Sequence, residues 1–285
     1  MRVLVTGGSG LLGKKFVSIL QEQHQVTGTC HDHSFNGLIP VDLQNDTDIA
    51  DNFDRVRPEL VIHTAAMTNV EQSEAEKLKA LRVNTTSSAL LAELCRRADS
   101  KFVFFSSDYV FSGNNSPYQE DDTANPLSFY GLTKLMAEKT VMAINPDSVI
   151  IRPCIMYGYN DELDKPTFPL QVLSSLRQDK PITVDNRRIK YPILIDDIVA
   201  NTMMIVGEKL KGVFHFSIAE GLTRYEWART IATVFSYPVE LVRGESLEAG
   251  KPLDIRLLNT RKIDYYFRDC KAGAQLLEEQ MNENN

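Results

Sequence analysis

Near its N-terminal end the chain reads Arg2-Val3-Leu4-Val5-Thr6-Gly7-Gly8-Ser9-Gly10-Leu11-Leu12-Gly13. An apolar strand over residues 3–6 runs into glycines, and residues 11–20 follow with helical spacing of their apolar side chains. In a strand–turn–helix context Gly8-x-Gly10-x-x-Gly13, doubled by Gly7-x-x-Gly10, has a physical reading. The glycines permit a tight turn, a close approach of backbone to a pyrophosphate, and close helix–strand packing. The first N–H groups of the helix, at Leu11, Leu12 and Gly13, then face the phosphates with a favourable dipole. Gly7, Gly10, Leu11, Leu12 and Gly13 are therefore expected to bind a dinucleotide. Gly8-x-x-x-x-Gly13-Lys14 is also one residue short of a triphosphate loop. That loop needs a Ser or Thr hydroxyl next, to ligate Mg²⁺, and Lys15 stands there.

Outward from this turn the chain alternates. Strands are expected over residues 26–30, 60–63, 102–105 and 148–151, and helices over 46–56, 78–97 and 127–142. Short apolar runs separated by helices mean parallel strands covered on both faces. The fold class is α/β, a doubly wound parallel sheet of the Rossmann type, over residues 1–152. After Arg152 the rhythm loosens and prolines cluster at Pro153, Pro166, Pro169, Pro181 and Pro192. Residues 153–285 read as a smaller α+β substrate lobe. Strands are expected over 192–195 and 212–217, helices over 196–208 and 223–235, and segments near 193–210 return to the main sheet. Residues 278–285 are polar and read as frayed.

Bulk properties narrow the classes. With 285 residues the chain can bury a sizeable core. A net charge of -7 argues against a phosphate-backbone partner, so no nucleic acid is expected. No apolar run reaches membrane-spanning length and no signal-peptide layout is visible, so no membrane partner and a cytoplasmic location are expected. Cys30, Cys95, Cys154 and Cys270 form no metal-ligand spacing, so no metal is expected, and they read as small buried hydrophobes.

The second strand bears on the cofactor. NAD-users carry an acid at its end for the ribose 2′-OH. Here Cys30 is followed by His31-Asp32-His33, and His31 and His33 could face a 2′-phosphate. NADP(H) is favoured and NAD(H) stays open, because Asp32 is close by. Asp42 and Leu43, after the next short strand, are placed to cap an adenine ring.

A chemical constellation lies further on. Tyr130 and Lys134 are one helical turn apart on one face. A lysine ammonium near a phenol favours phenolate and lowers its pKa, making an acid/base pair for moving a proton to or from a carbonyl oxygen. Ser107 stands at the C-terminal end of the 102–105 strand, where parallel sheets place ligands, and can hydrogen-bond the same carbonyl. Ser107, Tyr130 and Lys134 are the expected catalytic residues, and Tyr130 and Lys134 are also expected to bind the cofactor, Lys134 through the nicotinamide ribose.

These stretches, with His63-Thr64-Ala65-Ala66-Met67-Thr68, Asn84, Ser106-Ser107-Asp108-Tyr109-Val110-Phe111-Ser112-Gly113, Pro126 to Lys134 and Arg152-Pro153, resemble the extended short-chain dehydrogenase/reductase superfamily. Within it the chain is similar to the dTDP-4-dehydrorhamnose reductase family. The resemblance implies that Ala65 and Ala66 line the cofactor pocket, that Ser107, Tyr130 and Lys134 are catalytic, and that the substrate is a 4-keto-6-deoxy nucleotide-sugar. Thr68, Asp108 and Tyr109 are expected to touch it, with Arg187 and Lys251 from the second lobe. Two departures fall in that lobe: Pro153-Cys154-Ile155 replaces a Thr-Ser-Trp stretch, and Lys251-Pro252 replaces Arg-Pro. The regulatory β subunit of methionine adenosyltransferase, which binds NADP(H), resembles the chain in these same places.

Three functions are compatible with these residues. One is an NADP(H)-dependent ketoreductase, another a non-catalytic dinucleotide-binding subunit, and the third a nucleotide-sugar epimerase. A dehydratase is disfavoured, because Asp108 follows Ser107 but no Glu follows Asp108. A homodimer is compatible with the sequence. Of the other polar residues, His63 reads as a packed, hydrogen-bonded side chain. Arg187, Arg188 and Lys190 read either as a diphosphate clamp or as a solvated run. Asp196 and Asp197 read as helix N-caps, and Trp227 with Tyr225 as helix packing.

Overall fold

The glycine turn joins β1 (Arg2–Thr6) to α1 (Leu11–Leu20), and the chain then runs through β2 (Gln25–Cys30), β3 (Ile39–Pro40) and α2 (Asp46–Val56). It continues through β4 (Leu60–His63), α3 (Val70–Ala75), α4 (Lys77–Leu81), α5 (Ser87–Arg97), β5 (Lys101–Phe105), α6 (Phe129–Ile144) and β6 (Val149–Pro153). The computed structural model describes residues 1–31, 37–159, 166–246, 252–261 and 263–283. Two units are present: Met1–Ser112 with Asp121–Arg152 and Thr202–Phe214, and Gly113–Glu120 with Pro153–Asn201 and His215–Asn285.

The seven-stranded sheet has the order Gly212–Phe216, β6, β5, β4, β1, β2, β3. The pairings of β1 with β2 and β4, of β2 with β3, and of β5 with β4 and β6 are parallel. The order reverses direction at β1, which creates a crevice between β1 and β4 at the C-terminal ends of the strands. Register aligns that edge: Thr6 lies opposite His63, and His63 opposite Phe104. The loops after Thr6, His63 and Phe105 therefore emerge together.

Apolar strands covered on both faces hold this sheet. Leu4, Val61, Phe102, Phe104 and Ile150 pack under Ile49 and Phe53 of α2, Leu91 and Cys95 of α5, and Ala137 and Val141 of α6. On the other side Phe16 of α1 meets Phe105, ring centroids 5.7 Å apart. Burying such side chains stabilises the unit by about 1.5–3 kcal/mol each. Asn45 caps α2 by accepting from the Thr47 and Asp48 N–H groups, and Ser128 caps α6 by accepting from the Gly131 N–H.

Three expectations need correction here. The helix expected over 78–97 is broken by a π-helical turn at Arg82–Thr86, which periodicity cannot reveal because the apolar spacing resumes beyond it. The returning strand lies at Gly212–Phe216 rather than within 193–210: Ile193–Leu194 pairs instead with Met156–Tyr157, and Ile195–Gly207 is helical. Residues 278–283 are not frayed, since the helix Cys270–Glu283 buries Ala274, Leu277 and Met281. The apolar positions of that helix are four and three apart, and its polar outer face obscured them.

The second unit pairs Ile182–Asp185 with Val242–Glu245 in parallel and Ile189–Lys190 with Leu222–Thr223 antiparallel. Thr223 and Glu226 form a reciprocal capping box at the start of Arg224–Val234. Trp227 on that helix is buried against the rings of Tyr157 and Phe168, as its packing role requires. Asp196 and Asp197 are not caps: Asp197 is buried in an ion pair with Arg268 and accepts its backbone N–H, and Asp196 accepts from Gln280. All four cysteines are buried free thiols. Among the described residues no helix is long and apolar enough to cross a membrane, and no group of His, Cys, Asp and Glu side chains could hold a metal ion.

Candidate active site

The turn after β1 is built for backbone alone. Gly7 has φ +73°, in the left-handed region, and a Cβ on it would stand 2.9 Å from the Ala65 backbone. A Cβ on Gly13 would stand 2.0 Å from the Gly7 carbonyl oxygen, so Gly13 seats α1 against the turn. Gly10 is the N-cap of α1, where no side chain caps the helix and no acid occupies the first turn. The free N–H groups of Leu11 and Leu12 and the missing Cβ atoms leave a neutral, donor-rich edge that fits a pyrophosphate. Thr64 fixes the neighbouring loop by donating its hydroxyl to the Thr6 carbonyl at 2.7 Å. Ala65 and Ala66 follow it, half-buried.

At the end of β2, His31 is exposed, with Nδ1 3.9 Å from the Asp42 carboxylate. Asp42 also accepts from the Gln44 N–H, and Leu43 packs partly against the core. Asp32 and His33 lie outside the described residues.

His63 is 1 % exposed and sits between two hydroxyls, Thr6 Oγ1 at 2.6 Å from Nδ1 and Ser88 Oγ at 3.0 Å from Nε2. Ser88 donates its own proton to the Asn84 carbonyl. Nε2–H therefore donates to Ser88, and the Thr6 hydroxyl donates to Nδ1. Burial, helped by the Lys134 charge, pulls the imidazole down to about 3, so it is a neutral structural group, as its sequence context indicated. The linkage is definite. Between pH 6.5 and about 3 the unfolded chain binds a proton that the folded chain refuses, so stability falls as pH drops through that window. A His63→Gln variant should lose this acid-side slope, worth at most about 3.4 kcal/mol over the part of the window that lies above pH 4, in urea denaturation followed from pH 7 to pH 4; an unchanged slope would contradict the assignment.

Ser107 caps a short 3-10 turn, accepting from the Tyr109 N–H at 3.2 Å and donating to Asp108 Oδ1 at 3.0 Å. Its hydroxyl shares a hydrogen bond with the Tyr130 phenol. Tyr130, second residue of α6, is buried, with the half-exposed Tyr109 ring edge-on at 5.8 Å. One turn on, Lys134 is 2 % exposed and its ammonium lies 4.2 Å from the centroid of the Phe104 ring. The structure thus brings Ser107, Asp108, Tyr109, Tyr130 and Lys134 together on one edge. The expected lowering of the phenol by Lys134 does not occur. Burial holds Tyr130 above its ordinary value, with the Asp108 carboxylate adding to the effect. Burial also pulls Lys134 down to about 7, against the opposing pull of Glu138. Desolvation outweighs the pair interaction that sequence spacing suggests.

Behind this edge lies a buried polar network. Arg152 donates to both Glu138 oxygens, Nε at 2.9 Å and Nη2 at 2.7 Å, and its guanidinium covers Phe111 at 5.1 Å. The Ser106 hydroxyl donates to the same carboxylate. In the π-turn, Asn84 accepts from the Met67 N–H at 2.8 Å and donates to Thr133 Oγ1 at 3.0 Å, tying the loop after β4 to α6. π-turns recur at functional sites because they re-aim one side chain.

The model of the RmlD substrate binding domain matches residues 1–254. The chain belongs to this family. The β subunit of methionine adenosyltransferase 2 of Mus musculus is 29% identical over 251 residues, covering 85% of this chain and 74% of its own. A probable low-salt glycan biosynthesis reductase of Haloferax volcanii is 30% identical over 248 residues, covering 85% and 83%. A hypothetical dTDP-4-dehydrorhamnose reductase from Sulfolobus tokodaii superposes with a TM-score of 0.83 at 30% identity, over 95% of this chain and 98% of that one. The α/β fold and the placement in the extended short-chain dehydrogenase/reductase superfamily hold as expected.

In this RmlD-family chain Thr68, one of the remaining expected site residues, is exposed on the loop after β4. Arg187 belongs to the second unit, exposed, with its N–H 3.4 Å from Asp185 Oδ1. Arg188 is neither a clamp nor solvated: it is buried on Asp185, Nε 2.8 Å from Oδ2. Lys251 lies outside the described residues. Sequence reading passed over Glu138 and Ser106 and left Arg152 without a role. The signal was available: an acid four residues beyond Lys134 on one helix face, and an arginine ending the apolar run Val149-Ile150-Ile151, which requires a buried counter-charge.

Proposed function

We propose that this chain is an NADP(H)-dependent reductase of a keto group on a nucleotide-activated deoxy sugar. The observation that carries the reading is the hydrogen bond that Ser107, at the C-terminal end of β5, shares with Tyr130 of α6, with Lys134 one turn further along that helix. Gly7, Gly10 and the first N–H groups of α1 would hold the pyrophosphate, Ala65 and Ala66 the nicotinamide side, and Asp42 and Leu43 the adenine. His31 would meet a 2′-phosphate. When bound, the reduced nicotinamide supplies a hydride to the carbonyl carbon. Tyr130 then gives its proton to the carbonyl oxygen while Ser107 orients that oxygen. At neutral pH the phenol carries the proton that reduction consumes. Lys134, fixed over Phe104, would donate to the nicotinamide ribose and would support charge developing on Tyr130. Thr68, Asp108 and Tyr109 border the reacting group, and Arg187 and Lys251 would meet the nucleotide. We further propose that the chain works in the cytoplasm and that a homodimer is compatible with this site.

The test is consumption of reduced cofactor with a dTDP-4-keto-6-deoxy sugar, alongside binding titrations of NADPH and NADH. Net oxidation with tighter NADPH binding is the expected result; tight binding of a cofactor that is never consumed would redirect the reading to an epimerase. The regulatory-subunit alternative draws support from the 29% identity to the methionine adenosyltransferase subunit. Against it stands a buried proton donor with its lysine, which a purely structural partner does not need.

A further inference from the structure

We propose that Glu138 is a positioning residue for the proposed reacting set, holding the Lys134 side chain and the Ser106–Ser107 corner in one arrangement from a single buried carboxylate. The inference rests on the proposed roles of Ser107, Tyr130 and Lys134, and it adds a residue that touches none of the reacting atoms.

Geometry carries it. Glu138 follows Lys134 by one helical turn on α6, so the two side chains share a face. Its carboxylate takes three donors, two from Arg152 and one from the Ser106 hydroxyl. Ser106 is the residue before Ser107, and its N–H donates to the Ile151 carbonyl at 2.7 Å, so the corner is held from strand β6 as well. Arg152 comes one residue later on that same strand. A shift of Glu138 would therefore move both the serine corner and the surroundings of the lysine.

The electrostatics point the same way. Lys134 is a buried cation, and the groups around it can be enumerated by element. Tyr130 and Glu138 share its helix, and the Phe104 ring comes from β5. His63 comes from β4 and is neutral, and α5 presents the uncharged Ser88 to that histidine. From β6 Arg152 reaches the cluster through Glu138. The Asp108 carboxylate, from the turn after β5, acts on Tyr130, while Glu138 is the carboxylate that opposes the loss of the lysine proton that burial favours. Without the carboxylate, Lys134 would be neutral over more of the neutral pH range.

The experiment is a pH titration of lysine side chains by NMR in the wild-type chain, in Glu138→Gln and in Glu138→Asp, with the Lys134 signal assigned by its loss in Lys134→Met. Glu138→Gln should move the Lys134 midpoint down by about one pH unit or more. It should also lower kcat by about 10–100-fold with little change in KM, and shift the alkaline limb of the rate profile to lower pH. Glu138→Asp, which keeps the charge but withdraws it by one methylene, should show a smaller shift and a smaller loss. It decides the matter if the Gln variant does not fold. A folded variant with the Lys134 midpoint and kcat of the wild type would overturn the proposal. The titration needs no turnover: a wild-type chain that reduces no keto-sugar would refute the proposed function, while the Lys134 midpoint would still decide the role of Glu138.

Discussion

Tyr130→Phe is expected to lower kcat for reduction of a dTDP-4-keto-6-deoxy sugar by roughly 10²–10⁴-fold, with the far-UV circular dichroism and NADPH binding unchanged. The substitution removes one oxygen. The ring keeps its place beside Tyr109 and its burial on α6, so packing survives. The proton is lost, and with it the hydrogen bond shared with Ser107. The protonated phenol fits the donor role. A group that stays protonated through neutral pH cannot serve as a ready phenolate base, but it can meet the oxygen of a carbonyl as hydride arrives. Single-turnover measurement of NADPH oxidation isolates this step from product release. Turnover within about threefold of the wild type, far short of the loss expected for a removed general acid, would take Tyr130 out of the mechanism.

Arg152→Met is expected to destabilise the chain by about 3–5 kcal/mol, because it leaves the Glu138 carboxylate buried without its cation. The ion pair is almost fully enclosed, side chains 6% and 5% exposed, so water cannot take the place of the guanidinium. The double variant Arg152→Met with Glu138→Leu removes both charges and should lie closer to the wild type than the single one. Denaturant midpoints followed by circular dichroism test this; a single variant as stable as the wild type would mean that the buried charge finds another partner. The two predictions separate two demands on one edge of the sheet: Tyr130 can be spared for stability but not for chemistry, whereas Arg152 is needed first for stability.

The sequence made legible what periodicity and glycine chemistry control. Strand β4 and helix α2 were readable to the residue, because a four-residue apolar run and a capped, Pro-terminated helix have sharp ends. The pairing of Ser107 with Tyr130 was readable because parallel strands present their C-terminal ends together. Long-range burial was not readable. The spacing of Tyr130 and Lys134 suggests an ammonium lowering a phenol, yet enclosure raises the phenol and lowers the lysine. Arg188 looked like part of a basic run because Asp185, three residues earlier, shows no sign in the sequence of turning back onto it. Asp197 looked like a cap because its partner, Arg268, is 71 residues away.

The π-turn at Arg82–Thr86 has a consequence for the sequence changes this chain can absorb. It wedges an extra residue into an otherwise regular helix, so the helical segments on its two sides are out of phase by about 100°. On one side of the offset Ala80 is buried; on the other Leu91, Ala92 and Cys95 face the sheet, and Asn84 sits in the offset itself, reaching both Met67 and Thr133. Deleting a single residue there would restore ideal helical phase and turn one of the two apolar faces towards water. The irregularity therefore acts as a ratchet. With Asn84 seated in the offset, a single-residue deletion cannot straighten the helix without undoing the packing of its second half, whereas substitutions leave the phase intact.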